Sequence, residues 1–260
     1  MSEKRVVIIT GASRGLGAAT AHWLAKKSVK LLLNARNVEL LEKVREECQK
    51  LGSEVVTVPG DVGELEVCQK IVSAASDKWG RIDAVINNAA LIDPIGIYTN
   101  VDMEAWSRAM QINLVAPLYL ARLASPWLLE SKGKVVNVST GAAVHPLAAW
   151  SAYCASKAGL HHLTRCMAVE QPRIIAVSLR PGVIDTAMQD QIRKDGPGHM
   201  PPDMMQYFQQ LKETNRLEPP EVPAKSMAWL ALYCPPEWNG EMIEYTDPRV
   251  VKESAAVFGD

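Results

Sequence analysis

The chain has 260 residues, 48% hydrophobic and 22% charged, which are the proportions of an ordinary globular protein. Its 28 Lys and Arg residues against 29 Asp and Glu residues give a net charge of -1, so no surface for nucleic acid or for an acidic membrane is indicated. The five cysteines lie far apart without a CxxC pair, which predicts reduced thiols rather than disulfides or a metal site. The longest apolar stretch, from Leu114, is interrupted by Arg122 and two prolines. We therefore expect a soluble cytoplasmic protein with no bound metal and no membrane span.

Short apolar runs of strand length alternate with stretches of helical length along the whole chain. The strand candidates are RVVIIT (5–10), KLLLN (30–34), EVVTV (54–58), IDAVIN (82–87), GKVVNVS (133–139), RIIAVSL (173–179) and EMIEY (241–245). A helical candidate follows each of them except the last. Near-continuous apolar runs suit strands buried on both faces, and strand–helix alternation requires right-handed crossovers. The pattern predicts a Rossmann-like, doubly wound α/β fold with a seven-stranded parallel sheet, as one domain over 1–260.

One shift in composition interrupts this alternation between the sixth and seventh strands. Pro, Gly and Met concentrate in DGPGHMPPDMMQYFQQLKETNRLEPPEVP (195–223). Long loops inside compact domains are usually functional, so we predict a substrate-loop insertion at about 187–220 that acts as a lid. A surface excursion with a short helix is the alternative.

A glycine-rich turn, TGASRGLG (10–17), lies where the first strand ends and the first helix begins. Glycines 11, 15 and 17 allow a tight turn and let backbone N–H groups and the helix N-terminus approach a pyrophosphate. The second strand ends in LLLNARN, without the carboxylate that would bind a ribose 2′-hydroxyl. Arg14 and Arg36 instead suit a 2′-phosphate, which favours NADP(H) over NAD. Arg36 as a solvated residue at the start of the next helix is the alternative.

Further motifs in the same order identify a family resemblance over essentially the whole chain. They are GDV (60–62), NNAA (87–90), INL (112–114), YCASK (153–157) and RPGVIDT (180–186). With the glycine spacing G-x3-G-x-G, the chain resembles a short-chain dehydrogenase/reductase. Ala90 departs from the family pattern, which usually has glycine there, and its Cβ would press on the cofactor or the catalytic helix.

The resemblance implies a cofactor site for residues from several loops. Asp61 and Val62 would flank the adenine, Asn88 and Ala89 would line the ribose, and Pro181 to Val183 with Thr186 would hold the nicotinamide carboxamide. The full predicted cofactor set is Gly11, Ser13, Arg14, Gly15, Leu16, Gly17, Arg36, Asp61, Val62, Asn88, Ala89, Ala90, Tyr153, Lys157, Pro181, Gly182, Val183 and Thr186.

The predicted chemistry centres on Tyr153 and Lys157, which share one face of a helix at i and i+4. A nearby ammonium is expected to lower the tyrosine pKa from about 10, so that Tyr153 donates a proton to a carbonyl oxygen as NADPH delivers hydride. The family's catalytic hydroxyl lies thirteen residues before the tyrosine, which implies Thr140 rather than Ser139. By the same resemblance Lys157 would bind the nicotinamide ribose, and Asn113 would hold a water that connects Lys157 to solvent.

The expected function is reduction of a ketone or 1,2-diketone by NADPH. The segments AWSAYCASK and PGVIDTAMQ resemble the branch with sepiapterin reductase and benzil reductases. Glu244 matches an acidic residue that anchors a pterin there, and an exposed glutamate in a terminal strand is the alternative. Apolar VHPLAAW (144–150) suggests a pocket for a flat or apolar carbonyl compound, with His145 in its wall or on the surface. The alternatives are a non-catalytic NADP-binding regulator and an alcohol dehydrogenase that works in the oxidative direction. The resemblance also implies a homodimer, or a tetramer, through helices at 112–131 and 151–168.

Overall fold

A computed structural model describes residues 4–259 and contains one seven-stranded parallel sheet. The strand order is β3-β2-β1-β4-β5-β6-β7, so the chain reverses direction across the sheet between β1 and β4. The strands are β1 Val6–Thr10, β2 Lys30–Ala35, β3 Val55–Pro59, β4 Ala84–Asn87, β5 Lys134–Val138, β6 Ile175–Arg180 and β7 Met242–Glu244. The predicted fold and all seven predicted strands are confirmed, each within two residues at either end.

The described residues form ten α-helices, most of which pack on the two faces of the sheet. They are α1 Gly15–Ala25, α2 Val38–Lys50, α3 Leu65–Trp79, α4 Met103–Met110, α5 Ala116–Ser131, α6 Ser151–Glu170, α7 Ala187–Asp195, α8 Pro202–Glu213, α9 Glu221–Tyr233 and α10 Pro248–Phe258. One apolar core lies between the sheet and helices α1, α2 and α9, and a second lies under α3 and α5. Because both faces are covered, every residue of β1 is buried, as the continuous apolar run predicted.

The prediction that no helix follows the last strand was wrong. Helix α10 begins after Asp247, whose side chain accepts a hydrogen bond from the backbone N–H of Arg249, and Pro248 occupies the first turn. Val250 is fully buried, and the ring of Phe258 meets that of Trp23 edge-on at 5.5 Å. The helix is therefore held by packing on α1 and α9 that a short terminal segment does not reveal by itself.

Helix α4 continues into α5 through one π-helical turn, Gln111–Val115. The combined segment Met103–Ser131 has 29 residues and is long and apolar enough to cross a membrane by length and composition. Its buried residues, including Leu120, Ala124 and Leu128, belong to the second core. The segment thus packs against the sheet as a core helix. The π turn places Asn113 at full burial beneath the carboxyl end of β4.

A buried polar network ties the central strands to α6. The side-chain amide of Asn87 donates to Asn137 Oδ1 at 2.8 Å, and Asn137 Nδ2 donates to Thr164 Oγ1 at 2.9 Å. The hydroxyl of Ser178 also donates to Thr164, at 3.0 Å. Asn137 and Thr164 are fully buried, so each lost partner would leave a desolvated polar group.

We predict that Asn137→Ala lowers the free energy of unfolding by about 3 kcal/mol, because it removes one buried hydrogen-bond partner from Asn87 and one from Thr164. Urea unfolding followed by circular dichroism measures the change. Asn100→Ala removes an exposed asparagine and serves as the matched control, with a change within about 0.5 kcal/mol. A cost for Asn137→Ala no larger than that of the control would show that the network contributes nothing to stability.

Candidate active site

The carboxyl ends of the strands open onto a cleft of about 770 Å³, within the range of small-molecule sites. It begins at the divergence of β1 and β4, where open α/β sheets bind their ligands. The structure brings these predicted cofactor residues together on its wall: Gly11, Ser13, Arg14, Gly15, Leu16, Arg36, Asp61, Val62, Asn88, Ala89, Ala90, Tyr153, Lys157, Pro181, Gly182, Val183 and Thr186. Gly17 and Asn113 lie behind that wall.

The glycine loop is shaped by close backbone approaches. A Cβ on Gly17 would lie 2.3 Å from the carbonyl oxygen of Gly11 and 2.6 Å from the amide nitrogen of Asn88, and Gly11 itself has φ +64°. Asn88 Nδ2 donates to the carbonyl oxygens of Thr10 and Gly11, at 2.9 and 3.1 Å, and so joins the end of β4 to the turn. Since no side chain caps the N-terminus of α1, its first N–H groups are available to an anion. The loop therefore fits a pyrophosphate.

Charged groups surround the predicted adenine end of the cleft. Asp61 accepts a hydrogen bond from the backbone of Gly63 at 2.9 Å and from the guanidinium of Arg108. Arg36 is mostly exposed and lies 3.9 Å from the same carboxylate. Sequence reasoning missed Arg108, because a lone arginine on α4 gives no signal that it reaches a loop 47 positions away. Asp61 thus holds Arg36 loosely beside the end of β2.

Tyr153, Lys157 and Thr140 converge at the other end of the cleft. Both Tyr153 and Lys157 are buried on α6, and the Lys157 ammonium donates to the carbonyl oxygen of Val138 at 2.7 Å. Thr140 lines the same cleft as Tyr153, and its side chain lowers the Tyr153 pKa. The hydroxyl of Ser139, in contrast, is buried without a hydrogen-bond partner among residues 4–259. Of the two hydroxyls that the sequence offers, the geometry favours Thr140.

The expectation that Lys157 lowers the pKa of Tyr153 was wrong for this structure. Burial raises the Tyr153 pKa to about 12, and the side chain of Thr140 only partly opposes that rise. The Lys157 nitrogen lies 5.8 Å from the ring centroid, and burial lowers the Lys157 pKa to about 8. Desolvation therefore outweighs the attraction between the two groups. Tyr153 holds its proton at neutral pH, as a proton donor must.

Asn113 is engaged on both ends of its amide. Its Oδ1 accepts from the backbone N–H of Leu91 at 2.8 Å, and its Nδ2 donates to the Leu91 carbonyl oxygen at 2.8 Å and to Ser156 Oγ at 3.1 Å. Ser156 neighbours Lys157 on α6. The side chain therefore joins the segment after β4 to the catalytic helix, and the water that it would hold stays a prediction.

The substrate end of the cleft is apolar and aromatic. Trp150 stacks on Phe208 of α8 at 5.4 Å between ring centroids, and meets the Tyr153 ring edge-on at 5.8 Å. Met188, Met204 and other apolar residues complete the wall, and exposed His145 lies at its rim. Phe208 was missed as a single residue, although it belongs to the predicted insertion. The wall suits a flat apolar ligand beside the Tyr153 hydroxyl.

Glu244 also lines the cleft, but it is not free to anchor a ligand without a rearrangement. Its carboxylate forms an ion pair with Arg180 at 2.6 Å, and its side chain is half exposed. The predicted contact with a pterin would have to break or share this pair. Arg180 was not anticipated as its partner.

A parallel sheet with a glycine loop at its switch point and a tyrosine–lysine pair in the same cleft defines a dinucleotide-dependent oxidoreductase. Residues 5–197 match the short chain dehydrogenase family. The protein belongs to the short-chain dehydrogenase/reductase family.

The chain is similar to yeast oxidoreductases over nearly its whole length. It is 36% identical to an uncharacterized oxidoreductase of Schizosaccharomyces pombe over 93% of this chain and 96% of the relative. It is 33% identical to a benzil reductase, (S)-benzoin forming, of Saccharomyces cerevisiae over 95% and 97% of the two chains. A solved short-chain dehydrogenase/reductase of Saccharomyces cerevisiae superposes with a TM-score of 0.91 at 34% identity, over 95% of this chain and 98% of the other.

We predict that Lys157→Met raises the free energy of unfolding at pH 7 by about 2 kcal/mol while it abolishes turnover. The folded-state pKa of about 8 lies below the unfolded value, so the charged form opposes folding below pH 8. The wild type then gains stability relative to the variant as the pH rises from about 8 to about 10.5, because only its unfolded state still binds the proton.

Urea unfolding at pH 7 and at pH 10 measures this difference, with Lys43→Met as the control for an exposed helical lysine. The control should change stability by less than about 0.5 kcal/mol at both pH values. A Lys157→Met protein that is less stable than wild type at pH 7 would mean that the bond to Val138 outweighs the desolvation of the ammonium.

Proposed function

We propose that the protein is an NADPH-dependent carbonyl reductase for ketones or 1,2-diketones of the benzil or sepiapterin kind. The observation that carries this proposal is the placement of Tyr153, Thr140 and Lys157 in one cleft with the glycine loop and an aromatic wall. The similarity to a benzil reductase supports the diketone as substrate. The flat wall formed by Trp150 and Phe208 suits an aryl ketone.

NADPH, when bound, supplies the hydride that reduces the carbonyl carbon. Thr140 donates a hydrogen bond that polarises the carbonyl oxygen, and Tyr153 transfers its phenolic proton to that oxygen as negative charge develops there. Lys157, close to the resulting phenolate on α6, stabilises its charge until a proton returns from solvent. The products are the alcohol and NADP⁺, so atoms and electrons balance.

The protonation state of Tyr153 affects how readily each direction of the reaction begins. Reduction needs the neutral phenol and oxidation needs the phenolate. A pKa of about 12 favours the phenol throughout the neutral range. This argues for reduction over the alternative of an alcohol dehydrogenase that works oxidatively. A non-catalytic NADP-binding regulator would not need Thr140, Tyr153 and Lys157 together in one cleft with an apolar wall.

The choice of NADPH over NADH rests on Arg14 and Arg36. No carboxylate lies at the end of β2, and the exposed guanidinium of Arg36 keeps only a long contact with Asp61. Solved structures of this fold at 21 and 22% identity include a carveol dehydrogenase in complex with NAD and a polyketide ketoreductase with NADPH, so the fold alone does not decide. Two arginines at one site favour the phosphorylated cofactor.

Two further parts of the proposal concern assembly and location. Val115 and Leu118 at the start of α5 and Val169 on α6 are apolar and exposed. These are the helices through which a homodimer, or a tetramer, is proposed to form. A cytoplasmic location also remains a proposal.

We predict that the purified protein consumes NADPH in the presence of benzil and that Tyr153→Phe loses at least about 100-fold in kcat, because the variant has no proton to donate. The absorbance of NADPH measures turnover, and chromatography of the product detects benzoin. Tyr233→Phe, far from the cleft, should keep wild-type activity. Tight NADPH binding without turnover of benzil, other 1,2-diketones or sepiapterin would contradict the reductase proposal and favour the regulator.

We predict that Arg36→Ala raises the KM for NADPH by roughly 10- to 100-fold and leaves that for NADH unchanged, because only NADPH carries the 2′-phosphate. Initial rates with each cofactor at saturating substrate give both constants. Arg173→Ala, an exposed arginine just before β6, is the matched control. Equal loss with both cofactors would show that Arg36 acts on something other than the 2′-phosphate.

A further inference from the structure

Tyr245, the residue after β7, is hydrogen-bonded to two loops that border the cleft. The hydroxyl of Tyr245 donates to the carboxylate of Glu218 at 2.5 Å, and its backbone N–H donates to the carbonyl oxygen of Arg180 at 3.0 Å. Arg180 ends β6 and leads into the loop Pro181–Thr186, the predicted nicotinamide segment. Tyr245 itself lines the cleft.

Glu218 lies at the base of the insertion and is paired with the same loop. Its backbone N–H donates to the carbonyl oxygen of Val183, and its own carbonyl oxygen accepts from Asp185, both at 2.9 Å. Residues 184 and 218 thus form a short parallel bridge, and helices α7 and α8 lie between them in sequence. The position of Glu218 therefore fixes where the insertion returns to the body of the protein.

The tyrosine ring also packs against the loop directly. A Cβ on Gly182 would lie 2.8 Å from Tyr245 Cε1, and Gly182 has φ +75°. The ring therefore covers a glycine that must stay bare both for its backbone conformation and for this contact. One side chain meets the loop through its ring and the base of the insertion through its hydroxyl.

We propose that Tyr245 is a positioning residue whose hydrogen bond with Glu218 holds the nicotinamide loop and the base of the lid in one arrangement. Without the bond, only the backbone bridge of residues 184 and 218 joins the loop to the insertion, so the cofactor binds more weakly and residues 187–217 open more often. The effect on the cofactor rests on the proposed NADP(H) site, whereas the effect on the lid does not.

The bond keeps its direction across the neutral range. Burial, together with the Glu218 carboxylate, raises the pKa of Tyr245 to about 12, so the phenol remains the donor and Glu218 the acceptor. A hydrogen bond to a charged acceptor is among the stronger kinds, which makes its removal measurable.

Tyr245→Phe removes the hydroxyl and keeps the ring against Gly182. We expect its Kd for NADPH, followed by quenching of tryptophan fluorescence, to rise about tenfold, with kcat at saturating cofactor within about threefold of wild type. Trypsin should cleave the protein without cofactor faster after Lys194, Lys212 and Arg216. Glu218→Ala should match Tyr245→Phe, and Glu218→Gln, which keeps an acceptor oxygen, should stay near wild type.

The double variant Tyr245→Phe/Glu218→Ala separates one shared interaction from two independent ones. If the double variant raises the Kd for NADPH and the cleavage rate no more than either single variant does, the result supports the proposed Tyr245–Glu218 interaction. If the effects of the two single variants multiply, the proposal is wrong. Tyr233→Phe controls for the loss of a phenol elsewhere. If the wild type binds no NADPH, the proposed function fails, and the tryptic cleavage pattern alone tests the role of the Tyr245–Glu218 bond. Unchanged cleavage in Tyr245→Phe would then contradict that role.

Discussion

The burial of the Lys157 ammonium is the constraint on which the site depends. A charge that is 2% exposed is costly unless the fold fixes its partner, and here the partner is the carbonyl oxygen of Val138 at the end of β5. That geometry requires α6 to lie against β5 and β6, where the buried contacts of Asn137 and Thr164 hold it. Keeping a cation close to Tyr153 therefore lowers the stability of the fold. The buried hydrogen bonds of Asn137 and Thr164 offset part of this loss.

Much of the fold follows from the sequence because its strands are buried on both faces. Runs such as VVIIT are apolar at every position but the last, so the composition alone identifies them as buried strands. The order of strands and helices then allows few topologies. The misses have a common physical origin. Helix α10 contacts the distant helix α1, and Asn113 in the π turn bonds with the distant residue Leu91. Neither contact can be predicted from a local sequence pattern.

The candidate site also combines features that the local sequence predicts with contacts between distant residues that it does not. The glycine turn, the TyrxxxLys spacing and the absence of a carboxylate in the residues after β2 are local features, and they predict where a dinucleotide and a carbonyl compound would bind. Arg108 and Tyr245 act across 47 and 27 positions to reach Asp61 and Glu218, and single residues at such separations carry no signal in one sequence. The pKa of Tyr153 was also misjudged from sequence, since the spacing to Lys157 says nothing about the burial that dominates it.

The two halves of the cleft face different physical demands. The predicted cofactor half contains a glycine turn in which an added side chain would meet backbone, as the 2.3 Å approach at Gly17 illustrates. The substrate half is built from side chains, Trp150 and Phe208 with the flexible thioethers of Met188 and Met204, which can repack around ligands of different shape. We therefore expect the proposed cofactor site to tolerate few substitutions and the proposed substrate wall to tolerate many. This explains why the fold and the reaction type can be inferred with less information than the identity of the carbonyl compound.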